Sequence, residues 1–174
     1  PRFDSVGEFQ GDFLEVARDG RYGALHRNGK MIFPCEYGQL AVIAPGDWDR
    51  YSRYLGYEAD DGVVVVWGYR DGSYRSSILL PDGTPVRESI AGRVGRFYGG
   101  LAAYSVAGRV GYIFVSGRVA VIPQYEAGRP FKRGYAWVKT SEGWGVIDSS
   151  GNTVLPFEYS RVYDSSTGYV EVRS

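Results

Sequence analysis

Apolar and polar positions alternate in short runs along most of the chain, punctuated by glycine-containing turns. Alternation with a period of two predicts half-buried β-strands. Tyr135–Lys139 predicts one strand, Trp144–Asp148 a second and Thr153–Leu155 a third, joined as an antiparallel meander with an aromatic connector leading onward. The same alternation places Ala136, Val138 and Ile147 on one face, with Leu14, Val16 and Leu25 as counterparts nearer the N-terminus. Val64, Val66 and Leu79, and then Ala102, Tyr104 and Ile113, complete the series. This face is apolar throughout and is the predicted core. The opposite face is mixed, with Trp137, Lys139, Trp144, Asp148, Glu15, His26 and Tyr112. Such a face is partly solvated, or partly covered by a neighbouring unit.

The pattern repeats. Gly83, Gly117 and Gly151 are spaced 34 residues apart, and Gly29 precedes Gly83 by 54. Phe3, Phe9, Gly23, Gly29, Pro34 and Tyr37 recur as Tyr125, Phe131, Gly145, Gly151, Pro156 and Tyr159. The units run 3–36, 37–90, 91–124 and 125–158, with a half unit at 159–174, in a single β-repeat domain. The string Gly143-Trp144-Gly145-Val146-Ile147-Asp148, followed by Gly151, Val154-Leu155-Pro156 and Tyr159, resembles the signature of the WG-repeat family. The likeness is good in the first unit, where Tyr22 replaces the tryptophan. It is weaker in the third (Val110) and in the second, where Ser76-Ser77 replace Trp-Gly. The resemblance implies an array of β repeats with no common catalytic motif. A hairpin alone is marginal in water, so each unit must lean on the next. The expected fold is all-β: an antiparallel meander of about four and a half hairpin repeats, as a curved or rolled open sheet or a small propeller-like arrangement.

Unit two carries 20 extra residues, 54 against 34. Four lengthen its hairpin, two per arm, which keeps every side chain on its original face. Asp71-Gly72 at the tip predicts a type I′ turn. The remainder falls between Tyr37 and Gly62 and predicts a short helix within 45–56, capped by Asp47 and ended by Gly56. Trp48, Tyr51 and Leu55 would share one face of it. Trp48, Arg50, Tyr51, Arg53 and Tyr54, together with Trp67 and Trp137, are the candidate binding residues, since Trp, Tyr and Arg dominate contact hot spots.

Composition narrows the function. Twenty basic and 20 acidic residues cancel, so no overall field draws the chain to nucleic acid or to an anionic membrane. All but Lys30, Lys132 and Lys139 of the basic residues are arginine, which suits stacking and bidentate contacts. Cys35 and His26 are single, so an intrachain disulfide and a His/Cys metal cluster are excluded; no metal or cofactor is expected. His26 is expected at a surface turn and Cys35 as a small, half-buried thiol. Glu58, Asp60 and Asp61 are read as a solvated loop, with acid–base catalysis the lesser reading. No apolar run reaches the roughly 18 residues of a membrane span. The chain begins at Pro1, as a processed product or a piece of a longer chain does, and a cytoplasmic location is favoured. A non-catalytic module for protein–protein interaction is therefore expected, such as a bacterial immunity or adaptor protein bound to a toxin or enzyme. Glycan or cell-wall binding through the aromatics is the alternative.

Overall fold

The computed structural model describes residues 2–44, 62–164 and 170–173. The first sheet is β1 (Ser5–Gln10), β2 (Phe13–Arg18), β3 (Arg21–His26) and β4 (Met31–Tyr37), in that order and antiparallel. The second is β5 (Gln39–Ile43), β6 (Val64–Arg70), β7 (Ser73–Leu79) and β8 (Pro85–Ala91). β9 (Arg93–Tyr98), β10 (Leu101–Val106), β11 (Arg109–Phe114) and β12 (Val119–Tyr125) form the third. β13 (Ala127–Gly128), β14 (Tyr135–Lys139), β15 (Trp144–Asp148) and β16 (Thr153–Tyr159) form the fourth. β17 (Arg161–Asp164) pairs with β18 (Val170–Arg173).

The architecture is all-β, antiparallel and repetitive, and no described residue lies in a helix. The helix expected within 45–56 falls outside the described residues. Each unit has one strand more than the three expected. The connector after each closing residue turns back and pairs with the hairpin ahead of it. The Gly38 and Glu126 amides open that pairing by donating to the carbonyls of Tyr69 and Lys139. The meander is thereby cut into separate four-stranded sheets.

Four turns share one hydrogen-bond pattern. The amides of His26, Leu80, Phe114 and Asp148 donate to the carbonyls of Lys30, Thr84, Arg118 and Asn152. Gly29, Gly83, Gly117 and Gly151 donate back to the first residue of each set. At the tip of the lengthened hairpin, Asp71 and Gly72 both have positive φ, 50° and 81°, as the expected type I′ turn requires.

The strand after each of these turns is bulged. Tyr22 and Ala24 pair with Tyr37 and Phe33, so two extra residues of β4 crowd over Gly23. Val110 and Tyr112 pair with Tyr125 and Val121, and Trp144 and Val146 with Tyr159 and Leu155, in the same way. A Cβ on Gly111 would lie 2.4 Å from the Val121 carbonyl oxygen and 2.6 Å from the Pro123 nitrogen. The glycine leaves room for backbone, and the proline, which has no amide hydrogen to pair, fits inside the bulge. In unit two the bulge is one residue shorter, because Ser76 and Ile78 pair with Ile90 and Arg87. Ser77 fits there. Ser76 is fully buried; its Oγ accepts from the Val94 amide and donates to the Gly92 carbonyl.

The described residues up to Gly95 pack as one compact unit and those from Arg96 onward as a second. In the first, Phe13, Ala24 and Phe33 on the mixed face of the first sheet join Leu40, Val42, Ala44, Val64, Val66 and Leu79 on the apolar face of the second. In the second, Leu101, Tyr112 and Val121 likewise join Phe131, Ala136, Val138 and Ile147. The mixed face of one sheet is thus covered by the apolar face of the next, and Tyr112 is completely buried where partial solvation was one expectation. Its hydroxyl donates to the Arg129 carbonyl at 2.7 Å and its ring meets Phe131 edge-on.

Gly111→Ala is predicted to destabilise the fold by about 3 kcal/mol, because backbone must shift. Gly108→Ala, at φ 76° with nothing within 4 Å of the added Cβ, is predicted to cost about 1 kcal/mol of backbone strain. Urea unfolding of both variants checks the difference.

Candidate functional site

The two arms of the lengthened β6–β7 hairpin bring together residues that the repeat itself does not require. Trp67 and Tyr69 lie on β6, and Tyr74 on β7 directly opposite Tyr69. The Tyr74 ring meets Trp67 edge-on at 5.5 Å and Tyr69 at 4.8 Å, while the Arg93 guanidinium lies over Trp67, 4.3 Å from the ring centroid. All three rings are half-buried. Arg70, beside the tip, pairs with Glu36 and Asp71 and anchors the hairpin to the first sheet.

Trp67 also lines a cleft of about 400 Å³ with Glu15, Tyr22, Gly38, Gln39 and Leu40. Glu15 is half-buried, and its carboxyl has no ion-pair or hydrogen-bond partner among the described residues. Burial alone pushes its pKa up from the ordinary carboxylate value. Several other acids are compensated. Asp12 meets Arg27 at 3.0 Å and Glu126 meets Lys139 at 3.5 Å. Asp148 is held below the usual carboxylate range, chiefly by the Asn152 side-chain amide and then by backbone amides; the Thr84 amide does the same for Asp82. These two aspartates are turn caps.

Trp137 lies in the other compact unit, half-buried, with its ring edge-on to Tyr159 at 6.0 Å. Trp48, Arg50, Tyr51, Arg53 and Tyr54 lie outside the described residues, as do Glu58, Asp60 and Asp61. His26 corrects the surface-turn expectation. It is buried, packs edge-on against Phe13, and has backbone partners at both ring nitrogens. The Asn28 amide approaches Nδ1 at 3.3 Å and the Pro81 carbonyl oxygen lies 3.1 Å from Nε2, an arrangement satisfied by the Nε2–H tautomer. Cys35 is half-buried in the β4 bulge, as expected, with Sγ 4.0 Å from the Val16 carbonyl oxygen. Among the described residues, no group of three His, Cys, Asp or Glu side chains could hold a metal ion.

Residues 111–142 and 144–174 match the WG containing repeat. The chain contains a WG-repeat region. Domains of this repeat family are non-catalytic structural and binding modules, which agrees with a role other than enzyme catalysis. The match begins within β11, while the turn hydrogen-bond pattern at Phe114 and Asp148 recurs upstream at His26 and Leu80. No curated protein matches the sequence. Among solved structures, a chain in the crystal structure of a nidogen/laminin complex is similar over 85% of this chain and 60% of its own length, at 10% identity and a TM-score of 0.40. The chain therefore spans about three fifths of that neighbour.

Glu15 and Tyr22 are not among the candidate binding residues read from sequence. Repeat alignment places them where Trp137 and Trp144 stand, and a Trp-to-Glu replacement on a covered face was the available signal.

A carboxylate whose pKa is raised on folding favours the fold below its unfolded pKa, and loses that contribution as pH rises through the folded value. Glu15→Gln is therefore predicted to raise stability at neutral pH, with the gain fading as pH falls through the raised folded pKa and gone below roughly pH 4. Urea midpoints for both proteins across that range provide the check.

Proposed function

We propose that this chain is a non-catalytic module that binds a protein partner, with the Trp67–Tyr69–Tyr74–Arg93 surface and the adjoining cleft as its contact region. The lengthened β6–β7 hairpin carries this reading: it adds aromatic side chains that are absent from the plain repeat, and Arg93 of β9 lies over one of them. Trp, Tyr and Arg contribute most to protein contact energy, and rings held by their neighbours lose little conformational entropy on binding. The first compact unit supplies the rigid platform. The segment holding Trp48, Arg50, Tyr51, Arg53 and Tyr54 has the same chemistry and is part of the proposal. In its finer form, the partner is a toxin or enzyme, and the chain is the immunity or adaptor protein that covers it.

A photo-cross-linking side chain at Tyr69 tests this in the source cell. One protein is expected to be captured in stoichiometric amount, to re-form the complex when purified, and to bind about tenfold or more weakly to a Trp67→Ser/Tyr74→Ser variant. Failure of any purified partner to re-form the complex would overturn the reading, as would binding to polysaccharide that needs the same two rings.

A further inference from the structure

We propose that the cleft between Glu15, Tyr22, Gln39 and Trp67 is a receptor for a single guanidinium group, an arginine side chain presented by the partner. This rests on the protein-binding reading above and assigns its anchor.

Three observations converge on a cationic, planar ligand. First, Glu15 is a half-buried carboxylate without an ion pair or hydrogen bond among the described residues, whereas Asp12, Glu36 and Glu126 meet cations and Asp148 meets amides. No buried side-chain oxygen or nitrogen is left unsatisfied among the described residues, so the unpartnered Glu15 oxygens keep some access to solvent, and Glu15 lines the cleft. A ligand can meet them there. Second, the walls are aromatic. Tyr22 and Trp67 line the cleft, and a guanidinium stacks on aromatic rings while donating two parallel hydrogen bonds to a carboxylate. Trp67 already holds one guanidinium, that of Arg93, which is not among the cleft walls. Third, Gln39 adds an amide that can accept a further guanidinium N–H.

Size and charge select among ligands. A cleft of about 400 Å³ has room for one long side chain. A carboxylate or phosphate would face the Glu15 charge without compensation. Lysine would satisfy the charge but lacks the planar fork that matches a carboxylate edge and stacks flat on a ring.

The test is a ¹H–¹⁵N NMR titration with N-acetyl-arginine methylamide, using the matching citrulline compound as the neutral isostere. The arginine probe is expected to saturate in the millimolar range and to shift the Gln39 amides and the Trp67 indole resonance, identified by its loss in Trp67→Phe. Citrulline is expected to leave those resonances in place. Glu15→Gln is expected to weaken the arginine probe about tenfold or more, while its remaining spectrum and its thermal midpoint show an intact fold. Absence of saturable shifts, equal shifts with citrulline, or full binding by a folded Glu15→Gln variant would overturn the proposal. If the titration fails while the cross-linked complex still forms, the arginine anchor is wrong and the protein-binding reading stands. If the complex fails while the titration succeeds, the cleft binds guanidinium and the partner reading falls.

Discussion

A four-stranded sheet with apolar residues on both faces cannot rest in water by itself. In this protein the constraint is met in each compact unit by laying the mixed face of one sheet on the apolar face of the next. Phe13, Ala24 and Phe33 close over Val64, Val66 and Leu79; Tyr112 and Val121 close over Ala136, Val138 and Ile147. Each fully buried Val, Leu or Phe contributes about 2 kcal/mol, so the stacking and not the strand pairing alone sets the stability. The buried Tyr112 hydroxyl is compatible with this because it donates a hydrogen bond to the Arg129 carbonyl.

The sheet geometry follows from a second, local constraint. Two extra residues in the outer strand must pass over the strand beside it, and a side chain at Gly23, Gly111 or Gly145 would collide with them. The glycine in the repeat signature, the proline in the bulge and the aromatic partner beyond it are therefore one device. Unit two shows the converse: with one residue fewer in the bulge, Ser77 is accommodated and Ser76 turns inward to satisfy Val94 and Gly92.

Much of this was legible in the order of residues, because period-two alternation and positive-φ turn positions depend on near neighbours. The strands at 135–139 and 144–148, the apolar face and the Asp71-Gly72 turn all belong to that class. The fourth strand of each sheet was not legible. Its pairing joins a connector such as Gln39–Ile43 to a hairpin across a long insertion, and nothing in Gln-Leu-Ala-Val-Ile itself names that partner. His26 was misread for a similar reason: its equivalence to the turn residue Asp148 is real, but burial comes from Phe13 and the segment near Pro81 and Gly83. The cleft was hidden too. Trp67 stood out by residue type, whereas Glu15 becomes informative only when the neighbouring sheet shields it from water and offers it no cation.

Native-state hydrogen exchange on Phe13→Leu tests the stacking most directly, since Phe13 belongs to the first sheet and fills the face of the second. If each sheet depends on its neighbour, the slowest amides of β6 and β7 lose protection by the same amount as those of β2 and β3, about 1 kcal/mol. Protection of β6 and β7 unchanged from the parent, with loss confined to β2 and β3, would contradict the account.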